Sequence, residues 1–314
     1  MQVITSLENL KITSKTSVAL GNFDGIHIGH REIMSNALET AAAEGYKSLC
    51  FTFSNHPFNF ILRREESDPD AVKLICTEEE KVELIEAMGF DILVNVPFDE
   101  HIMKMRARKF FDDIIVGSLN AAHVSVGFNY TYGARAEGKP DLLIKQCGEA
   151  GISVSIRDAV MLDGNVVSST LIREMISTGN MEMTARLLGR PYSFAGTVSH
   201  GKKLGSRMGI PTINIPAPDR QMLPPNGVYF SRIDIGGRQF SSVSNIGINP
   251  TVNDDPGRKT IETNIFDYDD DAYGSDVTVY FDHFSRGERK FRDKEELFAQ
   301  IARDCENARN YRKK

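Results

Sequence analysis

The stretch Gly21-Asn22-Phe23-Asp24-Gly25-Ile26-His27-Ile28-Gly29-His30 decides the fold of the first half of the chain. It follows an apolar run at 18–20, which predicts a short buried strand, and precedes residues 31–43, whose apolar side chains recur at helical spacing. Backbone N–H groups and the helix dipole favour anions where a helix begins, so the stretch predicts a phosphate site. The alternative is a plain strand–helix turn with incidental histidines.

Composition limits the partners that the protein can have. The chain has 314 residues, 41% of them hydrophobic and 25% charged, which is enough for two domains with separate cores. Its net charge of −6 argues against general binding to nucleic acid or membrane surfaces, so a phosphate site must be local. Residues 1–15 lack an apolar signal-peptide core, and no apolar run of about 18 residues occurs. We expect a cytoplasmic protein.

The four cysteines support this expectation. They are scattered along the chain and form no C-x-x-C pair: Cys50, Cys76, Cys147 and Cys305. This spacing predicts neither a disulfide framework nor a zinc site, and it suits a reducing compartment.

Strands alternate with helices through the rest of the first half. After the opening unit, strands are predicted at 48–53, 91–96, 123–126 and 152–156, and helices at 77–88, 107–119 and 141–150. The helix at Thr77 begins with the spacing of a capping box. Such alternation predicts a parallel sheet whose ligands bind at the carboxyl ends of its strands. Polar clusters follow three of those strands, at 22–30, 54–57 and 127–133.

The pattern changes after a short helix predicted at 182–188. Strands are predicted at 194–199, 228–235, 241–246 and 276–281, and a final helix at 294–310. Gly236-Gly237 lies between two of these strands and predicts a hairpin turn. The second half therefore predicts an antiparallel β-barrel with a terminal helix, and we place the domain boundary between residues 184 and 185.

Several motifs of the first half resemble one family. The opening stretch resembles the H-x-G-H signature of the nucleotidyltransferase superfamily and, over its full length, the start of the prokaryotic bifunctional riboflavin kinase/FAD synthetases. Ser168-Ser169-Thr170-Leu171-Ile172-Arg173 resembles the I-S-S-T-x-I-R motif of that superfamily; alone it could be a plain helix cap followed by a surface arginine. The resemblance implies a Rossmann-like nucleotidyltransferase domain over residues 1–184.

Two further segments add to this resemblance. Residues 126–133 resemble the family's V-G-x-[DN]-F-x-F-G stretch, which implies that Asn129 contacts the flavin nucleotide. Ser54-Asn55-His56-Pro57 stands where the family has a D-P-H-P-like segment, so only His56 and Pro57 match. His56 fits a loop histidine that caps a strand end as well as it fits a ligand.

The second half resembles the riboflavin kinase module over nearly its whole length. The match includes Leu188-Gly189-Arg190-Pro191-Tyr192, a Gly/Lys loop at 200–209, Gly209-Ile210-Pro211-Thr212-Ile213-Asn214 and Glu262. The loop can wrap phosphates, Thr212 and Asn214 offer neutral oxygens to Mg²⁺, and Glu262 can take a proton. Without the resemblance, Pro211-Thr212 is a turn and Glu262 is one of 43 acidic residues. Asn264 departs from the histidine usual in the family.

The resemblance implies two consecutive reactions that need Mg²⁺. Riboflavin and ATP give FMN and ADP, and then FMN and a second ATP give FAD and pyrophosphate. The implied catalytic residues are Glu262 in the kinase half and His27, His30 and Arg173 in the transferase half. The implied nucleotide- and flavin-binding residues are Gly21, Asn22, Phe23, Asp24, Gly29, Asn129, Ser168, Ser169, Thr170, Gly201, Lys203, Gly205, Pro211, Thr212 and Asn214, of which Thr212 and Asn214 also bind the metal.

Two alternatives remain open at this point. One half of the chain could be active and the other degenerate, with Asn264 making the kinase half the more suspect. The chain could also be a flavin-binding regulator that has lost catalysis, although a mere binder would not need all of the residues named above. The sequence does not give the oligomeric state, the redox preference for the flavin, or whether FMN is channelled.

Overall fold

The computed structural model describes residues 1–63, 68, 71–199, 212–248 and 259–311. The chain divides into two compact units, Met1–Ser169 and Thr170–Lys314, which are described separately below.

The first unit is built on a parallel sheet. Within the described residues the sheet has six strands in the order β1-β4-β3-β2-β5-β6, and every pair in it is parallel. The predicted parallel sheet is therefore confirmed, while β1 was not predicted. The strands are β1 (Gln2–Ile4), β2 (Thr16–Leu20), β3 (Lys47–Phe53), β4 (Ile92–Val96), β5 (Ala121–Gly127) and β6 (Ser153–Arg157).

Helices cover both faces of this sheet. On β2, Val18 and Leu20 belong to one core cluster and Ala19 to another, and all three side chains are buried. Because successive strand residues point to opposite faces, both faces carry a core, as a parallel sheet requires. The helices of this unit are α1 (Ile28–Glu44), α2 (Pro57–Ile61), α3 (Glu78–Ala87), α4 (Glu100–Lys104), α5 (Ala107–Lys109) and α6 (Pro140–Ala150).

The predicted α-helix at 107–119 is wrong in type. Only α5 is α-helical there, and it continues as a π-helix over Phe110–Ser118. Leu119 N donates to Ile114 O at 2.9 Å, which is the five-residue bond of a π turn. The apolar pairs Phe110/Phe111 and Ile114/Ile115 repeat every four residues, and the wider π turn keeps all four side chains buried.

A two-stranded hairpin and two helices follow. The hairpin consists of β7 (Met161–Leu162) and β8 (Asn165–Val166). Helices α7 (Ser169–Ser177) and α8 (Met181–Leu188) come next, and Asn180 Oδ1 accepts from Met183 N to cap α8.

The second unit contains an antiparallel sheet of six described strands. Their order is β10-β13-β12-β11-β14-β9, and Ser199 N donates to Asn214 O at 2.8 Å, which joins the continuation of β9 to β10. The first and last strands of the order are thus bridged, as the predicted barrel requires. The strands are β9 (Tyr192–Thr197), β10 (Thr212–Pro216), β11 (Gly227–Ile235), β12 (Arg238–Ile248), β13 (Lys259–Ile265) and β14 (Asp276–Gly287). Strands β10 and β13 were not among the predicted strands.

The hairpin turn and the terminal helix lie where the sequence predicted them. Gly236 and Gly237 have φ of 59° and 77° and connect β11 to β12 as a two-residue turn. Helix α9 (Lys294–Tyr311) packs through Ala308 on the sheet residues Val228, Phe230 and Val243. The face of the sheet that carries these three residues is called the helix-covered face below.

Candidate functional site

The signature turn is a strained backbone held by two buried anchors. After β2 ends at Leu20, φ is positive at Phe23 (47°), Gly25 (83°) and Ile26 (39°). The side chains of Phe23 and Ile26 are fully buried, and their burial offsets the cost of the left-handed conformation. The turn is thereby fixed at the carboxyl edge of the sheet, where ligands bind in such folds.

The two signature histidines stack on one another at the start of α1. His27 is the N-cap, and its Nδ1 accepts a hydrogen bond from His30 N at 3.1 Å. The ring centroids are 3.5 Å apart with an interplanar angle of 17°. Burial, and next the charge of His27, hold the pKa of His30 well below its usual value. His30 is therefore neutral near pH 7 and can meet a phosphate as a hydrogen-bond donor.

His30 also carries a buried nitrogen that protein atoms leave unsatisfied. Its Nδ1 is buried and has no hydrogen-bond partner among the residues that the structure describes. A buried polar atom of this kind is costly unless a ligand or water completes it. This observation fits a ligand-binding role and disfavours the plain turn considered above.

Hydrogen bonds join the signature turn to neighbouring segments. Thr52 Oγ1 donates to Asn22 O at 2.9 Å, and Asp24 Oδ1 accepts from Ile75 N at 2.9 Å. Ser169 Oγ donates to Asp24 O at 3.1 Å. The structure therefore brings Ser169 of the second motif to the first motif, although 145 positions separate the two residues. The buried carboxylate of Asp24 holds the loop at Ile75, a contact that sequence reasoning did not reveal.

Two glycines of the turn lie against aromatic rings, tightly at Gly21 and less so at Gly29. A Cβ on Gly21 would lie 2.7 Å from Cε1 of Phe23, and one on Gly29 would lie 3.3 Å from the ring of His27. The glycines thus permit the ring packing that shapes the site.

The remaining predicted residues of the first half lie at three places. Asn129 is exposed in the turn after β5, and Ser168 is the residue that precedes α7. Thr170 and Arg173 lie in the first two turns of α7 and belong to the second compact unit. His56 caps α2, since its Nδ1 accepts from Phe58 N at 3.3 Å, so it caps a helix and not a strand end.

Strand register brings the predicted kinase residues together. Thr212 and Asn214 alternate along β10 and therefore share a face of the sheet. Glu262 on β13 lies opposite Asn214, and Asn264 lies opposite Thr212. Glu262 also lies opposite Asn245 on β12, a residue that was not among the predicted site residues. These residues occupy the helix-covered face, because Val228 is the register partner of Asn245.

Asn214 has an amide oxygen that is suited to bind a metal ion. The residue is 5% exposed, and its Oδ1 is buried with no hydrogen-bond partner among the described residues. Among those residues no group of three histidine, cysteine or acidic side chains could hold a metal. A neutral amide oxygen beside the Thr212 hydroxyl fits a hard cation such as Mg²⁺ that takes its other ligands from nucleotide phosphates and water.

Asn264 contacts the terminal helix. Cys305 Sγ donates to Asn264 Oδ1 at 3.7 Å, which connects the row of site residues to α9. Four predicted residues, Gly201, Lys203, Gly205 and Pro211, lie outside the described residues.

Comparison with known proteins assigns both halves. A family model described as FAD synthetase matches residues 9–171, and one described as riboflavin kinase matches residues 188–312. The chain belongs to the bifunctional riboflavin kinase/FMN adenylyltransferase family. A member from Bacillus subtilis (strain 168) is 34% identical over 303 residues, which cover 95% of this chain and 93% of that protein. The member from Escherichia coli (strain K12) is 31% identical over 315 residues, covering 99% and 98%.

One solved structure has the same fold over nearly the whole chain. It comes from Streptococcus pneumoniae, is titled as that of a macrolide-efflux protein, and superposes with a TM-score of 0.88. The two chains are 30% identical over 98% of each. In the part of this chain that the structure describes, no helix is both long enough and apolar enough to span a bilayer.

Proposed function

We propose that this bifunctional riboflavin kinase/FMN adenylyltransferase makes FAD in two steps at two separate sets of residues. One observation carries the proposal. Strand register gathers Thr212, Asn214 and Glu262 on one sheet face with a buried, unpartnered amide oxygen, in the same chain as the stacked histidines of the signature turn.

In the kinase reaction, Glu262 takes the proton from the terminal hydroxyl of riboflavin. The hydroxyl oxygen then attacks the γ-phosphorus of ATP, and ADP leaves. Asn214 and Thr212 would hold Mg²⁺, which when bound neutralises charge on the nucleotide phosphates. Gly201, Lys203, Gly205 and Pro211 are assigned to nucleotide binding from their motif alone. The position of Glu262 beside Asn214 supports its role, since base and metal ligand must meet at one substrate.

In the transferase reaction, the FMN phosphate is already a nucleophile and needs no base. Its oxygen attacks the α-phosphorus of ATP in line with the leaving pyrophosphate. His27 and His30 donate hydrogen bonds to the phosphate oxygens, and Arg173 adds a permanent charge. Ser169, whose hydroxyl donates to Asp24 O, holds the second motif against the signature turn. Asn129 contacts the flavin nucleotide, and Gly21, Asn22, Phe23, Asp24, Gly29, Ser168 and Thr170 shape the nucleotide site.

The two activities are assigned to separate domains of a cytoplasmic protein. We assign residues 1–184 to the transferase and 185–314 to the kinase, acting on small molecules in the cytoplasm without nucleic acid or a membrane. The four cysteines are free thiols, which fits a reducing compartment.

A single assay tests the whole proposal. The protein is incubated with riboflavin, ATP and Mg²⁺, and riboflavin, FMN and FAD are separated over time, with FMN supplied in a parallel reaction. We expect FMN to rise and then give way to FAD. Accumulation of FMN alone, or FAD formation only from supplied FMN, would mean that one half is inactive. Tight flavin binding without release of ADP or pyrophosphate would indicate a regulator.

A further inference from the structure

Lys81 is a buried cation for which the described part of the chain supplies no counter-ion. The residue lies on α3 and is 7% exposed, although lysine is among the residues least often buried. Its Nζ donates to Phe53 O at 2.5 Å, and among the described residues no carboxylate forms an ion pair with it. A buried ammonium is costly unless it is paired, so a group that pairs with it in the working enzyme is to be expected.

The ammonium lies at the edge of the transferase site. Lys81 lines the same small cavity as Asn22 and Asp24 of the signature turn and Ser54 and Asn55 of the turn after β3. An ammonium has three N–H donors, and the Phe53 carbonyl accepts one of them. The remaining two can serve a ligand that enters beside the signature turn.

The two carboxylates of this cavity have partners other than Lys81. Asp24 Oδ1 accepts from Ile75 N, and Glu78 Oε1 accepts from Asn95 Nδ2 at 3.0 Å. The charge of Lys81 is therefore not taken up by an ion pair with either of them.

Beside Arg173, the transferase site has use for a second permanent cation. Three phosphates of ATP and one of FMN meet during adenylyl transfer, and charge must be neutralised for the phosphate oxygens to approach. His30 is buried and stacked on His27, and its pKa is lowered, so it supplies a donor but no charge. Lys81 is a cation of the first unit, and it shares a cavity with the signature turn.

We propose that Lys81 binds a phosphate group of a substrate of the adenylyl transfer, either that of FMN or one of ATP. The inference rests on the proposed transferase function and adds a binding residue to it. A phosphate oxygen would accept the two free N–H groups and supply the counter-charge that the fold leaves out.

The test uses steady-state FAD formation by the full chain with Lys81→Met and Lys81→Arg. Lys104→Met is the control, since Lys104 is 69% exposed and pairs with Glu100 on the surface. The KM values for FMN and for ATP are measured separately. Riboflavin phosphorylation by the same preparation and the thermal unfolding temperature report whether the variants fold.

Lys81→Met is expected to raise one KM roughly 10- to 100-fold, the usual effect of losing a charged hydrogen bond, while Lys81→Arg recovers most of it. A rise in the KM for FMN alone assigns the FMN phosphate, and a rise for ATP alone assigns an ATP phosphate. Unchanged KM values overturn the inference. An equal rise in both KM values, with a lower unfolding temperature and no recovery by Lys81→Arg, also overturns it, because it indicates that Lys81 only stabilises the fold through the Phe53 carbonyl. If the unsubstituted protein makes no FAD from FMN, the proposed function fails instead.

Discussion

The amide oxygen of Asn214 is expected to bind Mg²⁺ weakly by itself and more tightly with nucleotide. It is one neutral ligand beside the hydroxyl of Thr212, and phosphate oxygens must complete the shell of six that Mg²⁺ prefers. Calorimetric titration of Mg²⁺ should show little heat without ADP and a clear binding isotherm with it. Asn214→Ala should lose the nucleotide-dependent isotherm, while Asn310→Ala, an exposed change on α9, should keep it. Tight Mg²⁺ binding without nucleotide that disappears in Asn214→Ala would contradict this assignment.

His123 is expected to weaken the fold in mild acid. It is 4% exposed on β5, with Nδ1 at 2.8 Å from Ser153 Oγ and Nε2 at 3.3 Å from Asn36 Oδ1. Burial lowers its pKa, whereas in the unfolded chain the value is about 6.5. Below that pH the unfolded chain binds a proton that the folded chain does not, so stability falls as pH falls, by at most about 1.4 kcal/mol per pH unit.

Calorimetric unfolding between pH 7.5 and 5.5 checks this expectation. The unfolding temperature of the unsubstituted protein should fall with pH, to which His30 contributes in the same direction. His123→Gln is neutral at every pH and should show a shallower fall. An identical pH dependence in both proteins would show that His123 has no part in it.

Candidate site residues could be named from the sequence where a motif contains them, and not where only packing singles them out. The signature histidines, Ser169 and Glu262 were all predicted from motifs. Lys81 was not, although a signal existed: it occupies the same face of α3 as the buried Ile85, four positions on, where a charged residue is out of place. The neutral state of His30 also depends on the stacked ring of His27, which no spacing rule reveals.

Among the elements, strand β11 is expected to depend on Gly227 far more than its hairpin turn depends on Gly236. Gly227 has φ of 148°, and a Cβ there would lie 2.3 Å from the backbone oxygen of Arg286 on β14. Gly236 has φ of 59° with open space around it. Gly227→Ala should therefore cost about 2–4 kcal/mol through strain and collision, and Gly236→Ala about 1 kcal/mol through backbone strain alone.

Urea unfolding, monitored through the loss of riboflavin phosphorylation, measures the difference in stability between the two variants. The midpoint should fall steeply for Gly227→Ala and slightly for Gly236→Ala. Equal midpoints for the two variants would mean that the backbone of β14 shifts at Arg286 without loss of stability.

Helices and strands whose apolar residues recur at a regular spacing could be predicted. Elements in which polar motif residues or an unusual helix type disturb that spacing could not. The alternation of strands and helices gave the parallel sheet, but its strand order depends on tertiary packing. Strand β13 was not predicted because polar residues such as Glu262 and Asn264 interrupt its short apolar pattern. The segment was therefore interpreted from its motif residues and not as a strand. The π-helix was missed because α and π turns differ too little over nine residues for a pattern to separate them.

In the whole molecule, the two reactions are expected to be separable because their residues belong to different sets. Glu262→Gln keeps the shape of the side chain but removes the base, so riboflavin phosphorylation should fall by ~10²–10⁴-fold while supplied FMN still becomes FAD. His30→Ala removes a phosphate donor and should slow FAD formation by ~10²–10³-fold while riboflavin still becomes FMN. The exposed changes Glu295→Gln and His101→Ala serve as matched controls that should leave both rates unaltered.

Mixing the two variants then asks whether FMN passes between molecules. Each variant alone should fail to make FAD from riboflavin, and the mixture should succeed, because FMN released by His30→Ala is a substrate for Glu262→Gln. FAD formation is followed over time at equal total protein and at several dilutions. If FMN diffuses between molecules, the lag before FAD appears should lengthen as the enzyme is diluted. If Glu262→Gln lost FAD formation from supplied FMN while still folded, the assignment to two sets of residues would be wrong. If His30→Ala made FAD at the normal rate, the signature turn would be a plain strand–helix connection.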